Sequence, residues 1–376
     1  MNFMKRTLIC AAILFVMCSG YIFAGGLSGG PRIAVSGSHV YVVWSEEEAI
    51  GDYEIYFRRS TDNGATWKTT KHLTANSGWS GDPDIAVSGS NVYVVWTDIS
   101  SGNDEIMFRR STDDGVTWQA EVNLSNTSGI SLETRIAVSG TYLCVLWNEN
   151  GEIYFRRSSN SGGSWNTAKN VSNTAENSNF PAVAASGANV YISYSDYSKG
   201  NDEIFFKRSL NNGTSWQNFK RLTNTSGASQ NSAISVSGAN IYVAWQDNTP
   251  GNNDIYFKRS LDSGVTWQTS KKIITNSTSS LNPTLAAGAS NLTVVWENEA
   301  TTNSDIFFRT STDNGVTWQN AKRVANNAGS SVMASSAANG ANLYVTWWDN
   351  TPGDNKIYFR RSADNGATWA ACQILN

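Results

Sequence analysis

Apolar residues run along this chain in short bursts, each closed by a turn signal. Residues 83–124 show the pattern well. "PDIAVSG" is a brief apolar run stopped at Gly89, and "NVYVVWTD" is rich in β-branched and aromatic residues. "EIMFRRS" alternates before a polar segment holding Gly115, and "WQAEVNLS" resumes after it. Runs of this length and composition, bounded by Gly, Asn, Asp and Ser, predict four β-strands. No stretch sustains the 3.6-residue period of an amphipathic helix. Prolines are few and fall mostly at strand starts or loops, where they remove no ladder bond.

The whole pattern repeats seven times. The tryptophans that open the fourth run are Trp67, Trp118, Trp165, Trp216, Trp267, Trp318 and Trp369. They are 51 residues apart except for a 47-residue step into Trp165. Four strands per repeat of roughly fifty residues predicts a β-propeller blade. The fold expected is therefore all-β, a seven-bladed β-propeller over 25–376 in one domain. The end repeats look like the middle ones, which favours a closed ring over an open solenoid with polar caps.

The most insistent phrase is "STDNGATW" at 60–67, with the fourth strand beginning on its tryptophan. Its aspartates are Asp62, Asp113, Asp262, Asp313 and Asp364, while Asn160 and Asn211 stand in repeats three and four. Aspartate or asparagine can accept amide bonds within its own turn, and the glycine two residues later permits positive φ. A turn tolerates the loss of charge at Asn160 and Asn211; a catalytic carboxylate does not. The phrase resembles the Asp-box, or BNR repeat, of sialidase-like propellers across essentially the whole chain after residue 24. That resemblance implies a scaffold turn between strands three and four, on the face away from any ligand. A cation held at each box is the rival reading, weakened by the lack of a second nearby carboxylate in most copies.

The N-terminus changes the expected location. Lys5 and Arg6 precede the apolar run "TLICAAILFVMCSGYIFA", with small residues at Ala24 and Gly25. This reads as a secretory signal over 1–24 and predicts a secreted, periplasmic or cell-surface protein. Membrane attachment would require lipidation at Cys18, in a poor context for it. The chain carries 28 basic and 31 acidic residues with no basic block, which argues against nucleic acid as a partner. Cys144 and Cys372 are read as small apolar residues without a mutual disulfide. With only His39 and His72, no metal site, cofactor or Ser-His-Asp triad is expected.

Candidate site residues are those that break the sevenfold symmetry on the face opposite the boxes. At the start of strand one the aligned residues are Arg32, Asp84, Arg135, Ala182, Ala233, Thr284 and Ser335. Charge is confined to repeats one to three, either as a ligand site or as a local ion pair lining a wet channel. Strand two ends on Glu46, Asp98, Glu149, Asp196, Asp247, Asn298 and Asp349. So regular a column argues for carboxylates that fix the following loop; a ring of carboxylates at the mouth is the alternative. Trp79 and Trp348 are the two tryptophans outside the repeat, suited either to stacking on a sugar or to packing on a loop. The loop "NENGE" of repeat three is four residues short, which predicts a notch beside Arg135 and Glu149. The Arg-Arg and Lys-Arg pairs after strand three are read as structural, through acids such as Glu54 or through their apolar stems.

"PRIAV" at Pro31 resembles the Arg-Ile-Pro motif of sialidases, whose arginine meets a substrate carboxylate; Ala34 stands where the family has proline. Repeats four to seven offer no further arginine at the aligned position, no Tyr-Glu nucleophile pair is evident, and such sialidases have six blades rather than seven. The expectation is a non-catalytic propeller that binds glycan or an extracellular protein. The alternatives are a sialidase-like glycoside hydrolase, its catalytic residues unassigned, and a surface structural protein.

Overall fold

The computed structural model describes residues 29–376 apart from 275–277, 289, 300–302, 326, 352 and 354. The segment 1–24, read from the sequence as a secretory signal, and Cys18 lie outside the described residues. Each repeat forms one four-stranded antiparallel sheet with its strands in chain order. In blade one these are Gly29–Ser36, His39–Ala49, Asp52–Ser60 and Lys71–His72. Seven such sheets make a seven-bladed β-propeller. The fourth strand is shorter than its apolar pattern suggests: in blade two it spans Val122–Asn123 rather than starting on Trp118. The outermost strand is a sheet edge, and a two-residue edge gives a foreign strand little to pair with.

The hydrophobic core lies between blades rather than within them. Successive side chains of a strand point to opposite faces. In blade one, Val40, Val42 and Trp44 pack against Tyr344, Phe359 and Leu375 of blade seven. The intervening Tyr41 and Val43 pack against Val92, Val94 and Trp96 of blade two. Seven apolar clusters follow this rule, one at every junction. A fully buried Val, Leu or Phe contributes roughly 1.5–3 kcal/mol, so a blade taken alone would leave both of its stabilising faces wet. The junction of blades seven and one closes the ring by the same packing.

Each box adds a polar and aromatic clasp to its junction. Ser60 Oγ donates to Asp62 Oδ1 at 2.7 Å and accepts the Gly64 amide at 2.8 Å. The Thr66 amide and hydroxyl donate to the two Asp62 oxygens at 2.8 and 2.6 Å. Asn160 keeps the same turn, accepting from Ser158 Oγ and the Ser164 amide at 2.9 Å each. Trp67 then stands edge-on to Phe359 of the preceding blade, ring centres 4.9 Å apart, and Trp118 does the same to Phe57 at 5.0 Å.

The basic pairs after strand three act differently from the expectation. Arg58 donates to the Leu375 carbonyl of the preceding blade. Arg110 donates to the Ser161 carbonyl in the box of the following blade at 2.5 Å. Lys258 and Arg259 repeat this in blade five, reaching Leu222 O at 2.7 Å and Asn314 O at 2.5 Å. The partners across the junctions are carbonyls of both neighbours, not Glu54, whose Oε1 accepts the Asn76 amide at 2.8 Å. Cys144 and Cys372 are both free; Cys144 is buried as expected, but Cys372 is exposed on the outer edge.

Candidate ligand site at the channel mouth

Antiparallel order puts the start of strand one at the opposite end of each blade from the box. The innermost strands, which line the channel, share one irregularity: pairing with strand two slips by a residue just before the aligned column, as between Gly81 and Asp84. The bulge residue is left-handed in six blades without being glycine: Asp82, Glu133, Phe180, Asn231, Asn282 and Met333, with φ of 47–56°. Bulges bend a strand and re-aim its side chains, and they gather at rims and sites. Here they form a ring of unusual backbone around the mouth.

The structure brings Arg32, Asp84 and Arg135 into one electrostatic neighbourhood, with Asp82 and Glu297. They do not form an ion-paired cluster. Asp84 Oδ2 accepts the Ile136 amide of blade three at 2.9 Å, and Arg135 donates to the carbonyl of its neighbour Thr134 at 2.7 Å. The Arg32 guanidinium has no hydrogen bond and no ion pair within 4 Å among the described residues. Its pKa is pushed down to about 10, first by desolvation and next by the like charge of Arg135. A half-buried guanidinium beside a second guanidinium thus has no protein acceptor among the described residues.

Two further members of the mouth escaped sequence reasoning. Glu133 is 7 % exposed; its Oε2 accepts the Phe180 amide of blade four at 2.7 Å, and its Oε1 is buried without a partner. Glu297 is 6 % exposed; its Oε1 accepts the Met333 amide of blade seven at 2.5 Å, and its Oε2 accepts from Asn282 Nδ2 at 3.1 Å. Burial pushes both carboxyls up to about 7. The signal was present: Glu133 is the only glutamate two positions ahead of the column, and Glu297 the only charged residue in the Trp348 column. Neither position stands out until the bulge shows where it points.

Glu149 lies beside the mouth but is buried, accepting from Trp147 Nε1 at 3.0 Å. The acidic column to which it belongs secures loops. Asp98 Oδ1 accepts the Ser100 amide at 2.9 Å, and its Oδ2 accepts from Ser80, the first residue of the inner strand, and from Asn76 of the preceding connection at 2.9 Å each. Asp196, Asp247 and Asp349 do the same. Trp79 is half-buried in the connection between blades one and two, folded over Gly81, and its carbonyl accepts the Ile99 amide at 3.1 Å. Trp348 is not a rim aromatic. It is 3 % exposed and belongs to the apolar cluster that joins blades seven and one. The short turn of blade three, Asn150–Gly151, lies against Ile130 and Asn177, with exposed Ile99 and Tyr197 on the loops of the two flanking blades. Among the described residues no group of three or more His, Cys, Asp or Glu is placed to hold a metal ion.

Fold and box together define a class: a seven-bladed propeller with a repeated Asp-box turn on one face and an asymmetric polar mouth on the other. The BNR repeat-like domain family matches residues 38–243, and the chain belongs to that family. Among solved structures it is similar to a polysaccharide lyase, an ulvan lyase, at 11 % identity and a TM-score of 0.64, over 91 % of this chain and 95 % of that one. It is similar to a Mycobacterium tuberculosis puromycin-hydrolyzing peptidase at 11 % identity and a TM-score of 0.60, over 93 % of this chain and 52 % of that one. A Trypanosoma rangeli sialidase matches at 14 % identity and a TM-score of 0.54, over 77 % and 56 % of the two chains. At these identities the likeness is one of fold. No curated protein sequence matches the chain.

Proposed function

We propose that this is an exported, non-catalytic propeller that binds an acidic glycan at the channel mouth through Arg32 and Arg135. The observation that carries the reading is Arg32: desolvated, without an acceptor, and facing a second arginine. Carboxylate or sulfate groups on a sugar supply the missing acceptor, and an arginine fork matches either. The chemistry agrees with what two neighbours hold: a GlcA–Rha3S repeat in the ulvan lyase and a difluorosialic acid in the sialidase. Binding without turnover is favoured because Asp84, Glu133 and Glu297 are each engaged with a backbone amide of the next blade. Export rests on the 1–24 segment.

A panel of carboxylated, sulfated and neutral oligosaccharides, each assayed for retention and for turnover, tests this. Acidic members should bind, and neutral ones should not. Arg32→Ala should weaken binding roughly 10- to 100-fold, the ~1.5–3 kcal/mol of a charged hydrogen bond, without lowering Tm, because it also removes a desolvated like charge. Equal binding of neutral sugars, or unchanged affinity in Arg32→Ala, would sink the proposal. The second reading is a hydrolase or lyase acting on acidic glycans. It is favoured by Glu133, a buried carboxyl poised near neutrality as a general acid must be; turnover lost in Glu133→Gln would establish it.

A further inference from the structure

We infer that the mouth takes up its anion together with a proton, and that Glu133 and Glu297 are the groups that accept it. The inference rests on the anion-binding reading above and adds to it the residues that set when the anion is held.

The geometry comes first. Glu133 sits on the left-handed bulge of the inner strand of blade three, Ser131–Ser139. Among the described residues only one of its oxygens has a partner, the Phe180 amide at 2.7 Å, and the other is buried with none. An ionised carboxylate wants acceptor bonds at both oxygens; a neutral carboxyl leaves one bare at far less cost. The groups facing it are Arg135 on its own strand and Asp82 on the inner strand of blade two, Ser80–Ser88. The inner strand of blade four, Ser178–Ser186, brings no charged side chain. Glu149, on strand two of its own blade, is tied to Trp147. Glu297 lies on the other flank, on strand two of blade six, Leu292–Glu299, buried and facing Arg32 and Glu299; unlike Glu133 it has both oxygens engaged, by the Met333 amide and Asn282. The inner strands of blades six and seven, Ser279–Ala287 and Ser331–Asn339, carry no charged residue.

Each arginine of the pair is therefore flanked by one buried glutamate. With both glutamates neutral, Arg32 and Arg135 balance Asp82 and Asp84. With both ionised, four carboxylates surround two guanidiniums and an incoming anion is opposed. Burial leaves both groups half-protonated near pH 7, inside the range where an exported protein meets changes of pH. An anion seated between the arginines pushes each glutamate further towards its neutral form. By linkage, the complex holds more protons than the free protein, and affinity falls as pH rises.

The test uses the full chain and sulfate, whose charge is constant from pH 5.5 to 8.5. Calorimetry in two buffers of different ionisation heat should show net proton uptake on binding at pH 7. The dissociation constant should rise roughly tenfold or more between pH 5.5 and 8.5, since a proton taken up on binding costs up to tenfold per pH unit. Glu133→Gln keeps an acceptor for the Phe180 amide and should flatten the profile and lower the uptake. Glu297→Gln should do so independently, and the double variant should bind with no pH dependence across the window. Sulfate binding with no proton uptake, or a double variant with the wild-type profile, would overturn the coupling while leaving the anion site standing. No sulfate binding at any pH would overturn the anion site and the coupling with it.

Discussion

Gly64 has no room for a side chain. It stands at φ 78°, and a Cβ there would meet the Phe359 ring of the preceding blade at 2.5 Å. Gly64→Ala therefore meets backbone strain and a rigid aromatic wall together, and should cost about 1–3 kcal/mol in denaturant unfolding. The neighbouring aspartate behaves differently. The Thr66 hydroxyl, then the Thr66 amide and Ser60, hold the Asp62 carboxyl well below the usual carboxylate range. Asp262 and Asp364 are drawn down to about 2. A depressed pKa means the contribution is present above the unfolded value near 4 and fades as pH falls towards the folded value. Tm should thus drop between about pH 4 and 2, and Asp262→Asn with Asp364→Asn should lessen the slope. At neutral pH Asp62→Asn should stay close to wild type, because Asn160 and Asn211 already make the turn; Asp62→Ala should not.

At the scale of strands and turns, what counts is what each element gives its neighbours. Phe57 on strand three receives the edge of Trp118 and the bare face of Gly115 from the next blade. Phe57→Ala should cost about 3–5 kcal/mol and leave sulfate affinity intact, which separates scaffold from site. The basic pair illustrates what the sequence could not show. Its recurrence in six repeats marks it as structural, and the pattern suggests acids as partners. Among the described residues no acid is a partner: Gln119, Gln217 and Gln268 of the same blade accept from three of the arginines, and the bonds that cross to other blades go to carbonyls, which leave no signature in a sequence. The bulge of the inner strand is hidden likewise: Asp82, Phe180 and Met333 share no residue type, yet all adopt the same left-handed turn. Repetition of conformation without repetition of residue is invisible along the chain. Glu133 was hidden for that reason, whereas Arg32 and Arg135 lie in the regular register just beyond the bulge and were legible.

For the molecule as a whole, stability belongs to junctions, and the last junction is the one that closes the ring. Trp348 and Trp44 share that cluster with Val332, Tyr344 and Phe359. Trp348→Ala should therefore act on stability, by about 3–5 kcal/mol, rather than on ligand affinity. Lost affinity at unchanged Tm would return Trp348 to the rim. Taken alone, the sequence determined the strand pattern, the number of blades, the turn chemistry of the box and the blades that carry charge. These depend on residues near one another in the chain, or on a repeat that can be counted. The tertiary structure alone decided which side chains face each other across a junction, that Trp348 is core, and that Arg32 has no acceptor while Glu133 and Glu297 flank the arginine pair. Those facts depend on groups many repeats apart meeting at one axis. The desolvation that sets their charge arises only when the ring is closed.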